Sequence, residues 1–268
     1  ELRVPSIAHL RDIIKLSGRA TSDLNRNTRL VAVSEATRRF HVAAGVAADK
    51  THVLYNGVDL DRFQPRRPSG RLHRELGLSP EVRLVGTVGQ ICLRKGQDVF
   101  VQAATMVARA RPDVHFLIVG ERWSEKTESR RFEAALRGAS TGPLAGRLHF
   151  LGYHNDVDRI LGELSVLVHP ARQEPLGRVL LEAAAAGIAV VATEVGGTAE
   201  IFPPEVEAAR LVPPDDAEAL AASIVKLVED DSLRGRLAAA ARRRAEEAFS
   251  AGRAAAGLIE HYRKMLDW

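Results

Sequence analysis

The sequence has little of what would let it cross a membrane, tie itself with disulfides or stack nucleic-acid bases. Cys92 is the only cysteine, so no disulfide can form within the chain. A lone thiol fits a reducing compartment, and the expected location is the cytoplasm. Aromatic residues are only 5% of the chain and do not alternate with basic ones, which argues against a nucleic-acid surface. No run of about 20 apolar residues exists to span a bilayer, and no signal peptide is visible. Charge of either sign is not scarce: 38 Lys and Arg face 34 Asp and Glu, a net +4. This mild excess can serve phosphates or a peripheral contact at the cytoplasmic face of an anionic membrane. A solvated basic surface is its more ordinary reading.

What is present is a soluble-protein composition, 46% hydrophobic and 27% charged, in a chain long enough to bury a sizeable core. Its 268 residues suit one complete α/β domain and a piece of another. The chain opens on Glu1 and enters a strand-like stretch almost at once, so further sequence is expected upstream.

Short β-branched runs alternate with helical patterns, which predicts βαβ units and parallel sheets. A strand is expected over residues 4–9, then a polar helical stretch, then a strand over 30–34 whose Ser34 caps a helix over 35–44. Asn56-Gly57 is a turn signal, and residues 65–70 are rich in Pro, Arg and Gly. Residues 56–70 therefore read as a linker, separating residues 1–55 from a larger domain over 71–250. Six strands are expected there, over 83–89, 114–120, 147–152, 165–169, 189–193 and 209–212. Helices fit between them over 97–109, 125–137, 156–163, 177–186 and 217–229, followed by one over 232–248. This is the pattern of a doubly wound, Rossmann-like sheet. A last helix, over 251–268, is expected to pack back towards the first domain.

In such a sheet, ligands sit at the carboxyl ends of the strands, so the loops that follow strands carry the chemistry. Three stand out. Residues 89–96 read Gly-Gln-Ile-Cys-Leu-Arg-Lys-Gly. Glycines let a backbone approach phosphates, and Arg94 or Lys95 could supply countercharge. The spacing fits neither a Walker A loop nor G-x-G-x-x-G, and a surface turn with two solvated cations is an equal reading. Residues 173–182 read Gln-Glu-Pro-Leu-Gly-Arg-Val-Leu-Leu-Glu. Pro175 and Gly177 bracket a helix start, whose free N–H groups and dipole favour an anion. Glu174 precedes that helix, and Glu182 lies on it among apolar neighbours. Two carboxylates flanking a phosphate-binding helix end can grip hydroxyls on both sides of a diphosphate. The plainer alternative makes Glu174 a dipole-favoured start residue and Glu182 a solvated one. The third loop, Gly196-Gly197-Thr198-Ala199-Glu200, is either another anion-binding shape or a tight strand-to-helix turn. The run Arg242-Arg243-Arg244, followed by Glu246-Glu247, reads as a solvated helix face.

Glu174 and Glu182 are separated by seven residues, and this pair resembles the E-x7-E motif of retaining GT-B glycosyltransferases, above all their family 4. Other stretches agree in order: Val31-Ala32-Val33-Ser34-Glu35, then Asn56-Gly57-Val58-Asp59 with Phe63 and Pro65, then Arg94-Lys95-Gly96, Val119-Gly120, Phe150-Leu151-Gly152 and the Gly196–Glu200 loop. The resemblance covers nearly the whole chain and implies a donor-binding domain preceded by the tail of an acceptor domain. It implies that Lys95 contacts the diphosphate of the donor, that Glu174 binds sugar hydroxyls, and that Glu182 binds the ribose. Leu176 and Gly177 would hold phosphate through their N–H groups, and Tyr153 and His154 would lie near the base. Gly89, Gln90, Arg94, Gly120, Arg178 and Val179 would complete the donor site. His9 is placed like the active-site histidine of the family, although a structural histidine is an equal reading.

Two features depart from the pattern. Gln90 stands where the family often has Arg, so one phosphate cation is missing unless Arg94 replaces it. Phe202-Pro203-Pro204-Glu205 replaces a shorter Gly-containing turn. The reaction implied moves a sugar from a UDP or GDP sugar to a glycan, lipid or small-molecule acceptor, with retention and without metal or other cofactor. Because most of the acceptor domain is expected upstream, this chain alone is expected to bind donor and transfer little. A sugar-nucleotide 2-epimerase and a noncatalytic nucleotide-binding module are the alternatives. An NAD-binding dehydrogenase domain is disfavoured by the missing glycine fingerprint.

Overall fold

A computed structural model describes residues 4–266. Strands β1 (Ile7–Leu10), β2 (Arg29–Ala32) and β3 (Thr51–Val53) form a small parallel sheet in that order, with helices α1 (Gly18–Asn25) and α2 (Glu35–Ala43) between them. Ser34 caps α2 as expected, its hydroxyl accepting the Thr37 N–H at 3.0 Å.

The second sheet has six parallel strands: β4 (Arg83–Val88), β5 (Val114–Val119), β6 (Leu148–Gly152), β7 (Val166–His169), β8 (Ala189–Thr193) and β9 (Arg210–Val212). Its spatial order is β6-β5-β4-β7-β8-β9. The chain winds outwards one way from β4 to β6, then returns to the middle and winds the other way from β7. The order therefore reverses between β4 and β7, which is where a doubly wound sheet leaves a ligand crevice at the carboxyl ends of its strands. Helices α3 (Arg71–Glu75), α4 (Gln97–Ala110), α5 (Thr127–Gly138), α6 (Val157–Leu161), α7 (Arg178–Ala185), α8 (Thr198–Ile201) and α9 (Ala217–Glu229) connect or precede the strands, and α10 (Asp231–Ala248) and α11 (Ala251–Leu266) follow. The short α3 is absent from the sequence reading, because five residues carry too little periodicity to announce a helix.

The apolar runs of the strands follow from burial on both faces. Along β7, Leu167 faces one core while Val166 and Val168 face the other, as the two-residue period of a strand requires. Helices α7 and α10 pack together on the first side, and α4 and α9 on the second.

Residues 56–70 contain no helix or extended strand, but they are packed. Val58 bridges to Ser250, and Phe63 is buried in the core of the large sheet. Helix α11 then lies on the small sheet, where His261 Nδ1 accepts from Arg29 Nε at 2.7 Å. The last two positions of the expected helix 251–268, like the first three of the chain, lie outside the described residues.

One sequence reading needs correction. Arg242-Arg243-Arg244 is not a solvated face. Arg242 Nη1 donates to Ala185 O at 2.5 Å and to Phe63 O at 2.9 Å, while Arg244 reaches Glu200 O at 3.3 Å. Ala185 ends α7, and a guanidinium there answers the unpaired carbonyls and negative dipole end. Only Arg243 remains exposed.

Candidate functional site

A cavity of about 520 Å³ opens where the sheet order reverses, between the two sheets. Of the residues named above for the donor, it takes in every one except Gly120. Gly120 lines a smaller adjoining cleft of about 150 Å³, with Gly89, Trp123 and Tyr153. A Cβ on Gly120 would fall 2.0 Å from Gly89 O, so the two glycines leave bare backbone there.

The segment after β7 builds the floor. Gly177 adopts φ 99°, a left-handed conformation that starts α7 without a side-chain cap. The N–H groups of Leu176, Gly177, Arg178 and Val179 have no protein acceptor among the described residues. They face the cavity with the positive end of the helix dipole.

Glu174 is buried, and its Oε2 accepts from Lys95 Nζ at 2.5 Å and from His169 Nε2 at 2.8 Å. Burial alone would raise its pKa. The His169 hydrogen bond and the Lys95 charge outweigh that and hold the carboxyl below the usual carboxylate range. Burial keeps the His169 ring neutral, against the pull of Glu174, so Lys95 is the cation and His169 a neutral N–H donor. Both contacts fall on Oε2. Oε1 has no protein donor among the described residues, which leaves it open to the cavity.

Glu182, on α7, is the converse. Burial raises its pKa, and its nearest cation is the exposed Arg178 at 3.7 Å. No hydrogen bond to its carboxylate is found among the described residues. A half-desolvated carboxylate without donors gains from ligand hydroxyls.

The third loop does not face the cavity. A Cβ on Gly196 would fall 1.9 Å from Glu174 O, and Gly197 N–H donates to that same oxygen at 3.0 Å. The two glycines let this turn pass directly beneath the Glu174–Leu176 backbone. Beyond them, Glu200 accepts the Glu35 and Ala36 N–H groups at 2.8 Å each, and the Tyr55 hydroxyl at 2.9 Å. It thereby caps α2 from across the interface. Phe202, in the departing Pro-rich segment, is buried in the core of the large sheet.

His9 lies on β1 but does not line the cavity. Arg11 and Asp12, immediately after the strand, do. Sequence reasoning missed these two, and also His169. All three stand at or just past the carboxyl end of a parallel strand, the position that could have singled them out. Among the described residues no group of three His, Cys, Asp or Glu side chains could hold a metal ion. No described helix is long and apolar enough to cross a membrane.

The description "Glycosyl transferases group 1" matches residues 82–230, more than half of the chain, and "Glycosyltransferase Family 4" matches residues 7–62. The chain is 34% identical over 191 residues to the lipopolysaccharide core biosynthesis mannosyltransferase LpsB of Rhizobium meliloti, covering 70% of this chain and 52% of LpsB. It is 32% identical over 233 residues to a GDP-mannose-dependent phosphatidylinositol monomannoside mannosyltransferase of Corynebacterium glutamicum, covering 82% of this chain and 58% of that one. The chain thus spans little more than half the length of these relatives. Among solved structures, HepE of Anabaena in complex with UDP and glucose superposes with a TM-score of 0.86 at 27% identity, covering 97% of this chain and 72% of HepE. With two parallel Rossmann-like sheets facing one cavity and both halves matched by family descriptions, the chain belongs to the group 1, family 4 glycosyltransferases of GT-B fold.

Proposed function

We propose that this chain binds a nucleoside-diphosphate sugar and serves transfer of that sugar to an acceptor hydroxyl with retention of anomeric configuration. One observation carries the reading. Along the chain Glu174 precedes and Glu182 follows the unpaired N–H groups at the start of α7, and all of these residues line one cavity. The diphosphate sits on those N–H groups, with Arg94 and Lys95 beside it. Glu174 Oε1 accepts from sugar hydroxyls, and Glu182 from the ribose. The base enters the smaller cleft, against the bare backbone of Gly89 and Gly120 and the exposed rings of Trp123 and Tyr153. The printed ligands of HepE, UDP and glucose, and the GDP-mannose dependence of the Corynebacterium relative support a donor of this class.

Transfer breaks the bond from the anomeric carbon to the phosphate oxygen, whose electron pair leaves with the diphosphate. Helix N–H groups and cations already oriented at that oxygen stabilise the charge as it grows. Glu174 Oε2 is committed to Lys95 and His169, so this carboxylate orients the sugar rather than attacking it. The acceptor hydroxyl then bonds on the face the phosphate left and gives its proton to the departing phosphate oxygen, as the retaining members of the family imply. No metal takes part in this reading. A glycan or lipid acceptor, reached at the cytoplasmic face of the membrane, fits the mannosyltransferase relatives.

Calorimetry of the chain with UDP, GDP, UDP-glucose and GDP-mannose tests the donor reading. Saturable binding of one diphosphate and its sugar is expected. Binding of neither diphosphate would sink it. An epimerase finds no support among the relatives named above.

A further inference from the structure

We propose that Arg11, contributed by the small sheet, is a further cation for the donor diphosphate, beside Arg94 and Lys95. The inference rests on the donor reading above and adds to it a residue from the opposite half of the molecule.

Charge pairing around the cavity singles it out. Lys95 is paired with Glu174 at 2.5 Å and Arg62 with Asp158 at 3.4 Å. Arg178 is exposed, with Glu182 at 3.7 Å. None of these brings a wholly free positive charge to a ligand. Gln90 lines the cavity uncharged. Arg94 and Arg11 line it too, and neither has an acid partner among the described residues. Among the described residues the Arg11 side chain makes one hydrogen bond, to Asn56 Oδ1 at 3.3 Å, a neutral and long contact. Asp12 lines the same cavity without pairing to Arg11. A diphosphate carries more than one negative charge, and Arg94 together with a Lys95 shared with Glu174 does not balance it.

The backbone that carries Arg11 is held in place from both sides. His41 Nε2 lies 2.8 Å from Asp12 O, and Gln173 Nε2 donates to Ile13 O at 2.8 Å. His41 belongs to α2 of the small sheet, whereas Gln173 immediately precedes Glu174. The segment after β1 is thereby tied to the loop that forms the donor floor. Arg11 stands at its start, at the carboxyl end of β1. A guanidinium suits this task, because its planar fork matches two phosphate oxygens at once. It also makes diphosphate binding depend on both halves of the molecule, which binding of the nucleoside alone would not.

Calorimetry on the full chain decides it, using UDP and uridine, or GDP and guanosine if the guanine nucleotide binds better. The proteins are wild type, Arg11→Gln, Arg11→Lys and, as a control of equal charge change, Arg67→Gln on the exposed linker. Arg11→Gln is expected to weaken the diphosphate about tenfold, the size of one charge-assisted contact, and to leave the nucleoside unchanged. Arg11→Lys should recover part of the loss, and Arg67→Gln should lose nothing. Arg11 is exposed, so all variants should melt with wild type. If Arg11→Gln binds the diphosphate like Arg67→Gln, or loses nucleoside and diphosphate equally, the proposal is overturned while the donor reading stands. If wild type binds neither diphosphate, both fall together.

Discussion

Lys95 and Glu174, 79 residues apart in the chain, are joined by a 2.5 Å ion pair at the floor of the cavity. In the proposed donor complex the lysine serves two anions, the Glu174 carboxylate and a phosphate. Lys95→Ala is expected to weaken diphosphate binding by about 1.5–3 kcal/mol and to spare the bare nucleoside. Calorimetry showing equal diphosphate affinity would make Lys95 a partner of Glu174 alone.

The two glutamates should separate by ligand. Glu182→Gln is expected to weaken the diphosphate and its sugar conjugate alike. Glu174→Gln should leave the diphosphate nearly unchanged and remove the extra affinity given by the sugar. In an assay of transfer, Glu174→Gln should also lower kcat, because sugar contacts that tighten in the transition state are lost. Equal losses for both ligands in both variants would refute the division of roles.

Acid should destabilise this site in two stages. His169 is held neutral, its pKa below the ordinary 6.5, so folding loses stability as pH falls below 6.5 and the unfolded chain takes up a proton first. Glu174 is held below its ordinary 4.5, so its contribution is complete above 4.5 and is lost as pH falls well below that. Thermal melts across this range should show both stages. The upper one is shared with His9, His52, His115, His149 and His261, whose pKa values burial also lowers, so His169→Gln should lessen it without removing it. An unchanged profile in His169→Gln would place the upper stage elsewhere.

Backbone packing beneath the floor gives a test independent of charge. Gly196 has φ 52°, and a Cβ there would meet Glu174 O at 1.9 Å. Gly196→Ala should cost about 1–3 kcal/mol of stability and weaken donor binding as the Glu174 loop shifts. Gly235, on the exposed side of α10, has nothing within 4 Å of its would-be Cβ. Gly235→Ala should be neutral or gain about 0.5–1 kcal/mol. Denaturant melts of the two variants that did not differ in sign or size would contradict this packing.

Contact between the halves can be tested at Ser34. Its hydroxyl donates to Pro175 O at 2.5 Å as well as capping α2. Ser34→Ala should lose about 1 kcal/mol of stability and also lower donor affinity, since Pro175 adjoins Glu174. Ser17, which caps α1 through the Ala20 N–H, reaches no donor residue. Ser17→Ala should lower stability without changing donor affinity, and identical binding by the two variants would break the link from Ser34 to the donor loop.

The sequence by itself determined the alternation of strands and helices, the loop that starts α7 and the spacing of Glu174 and Glu182. Those features are local: the two-residue period of a buried strand, the apolar face of a helix, and Pro and Gly where a helix begins. The ends of β8, α9 and α11 at Ala189, Glu229 and Ala251 could be read this way. Tertiary structure alone decided which side chains meet. It set neutral His169 under Glu174, brought Arg11 rather than His9 into the cavity, and turned Glu200 into a cap for a helix more than 160 residues earlier. It also made Gly196 and Gly197 a support rather than a phosphate cradle, and drew Arg242 onto the end of α7. No local periodicity encodes such pairs. They arise where separate elements pack, and a buried carboxylate, carbonyl or helix end must find its partner from whatever the fold places beside it.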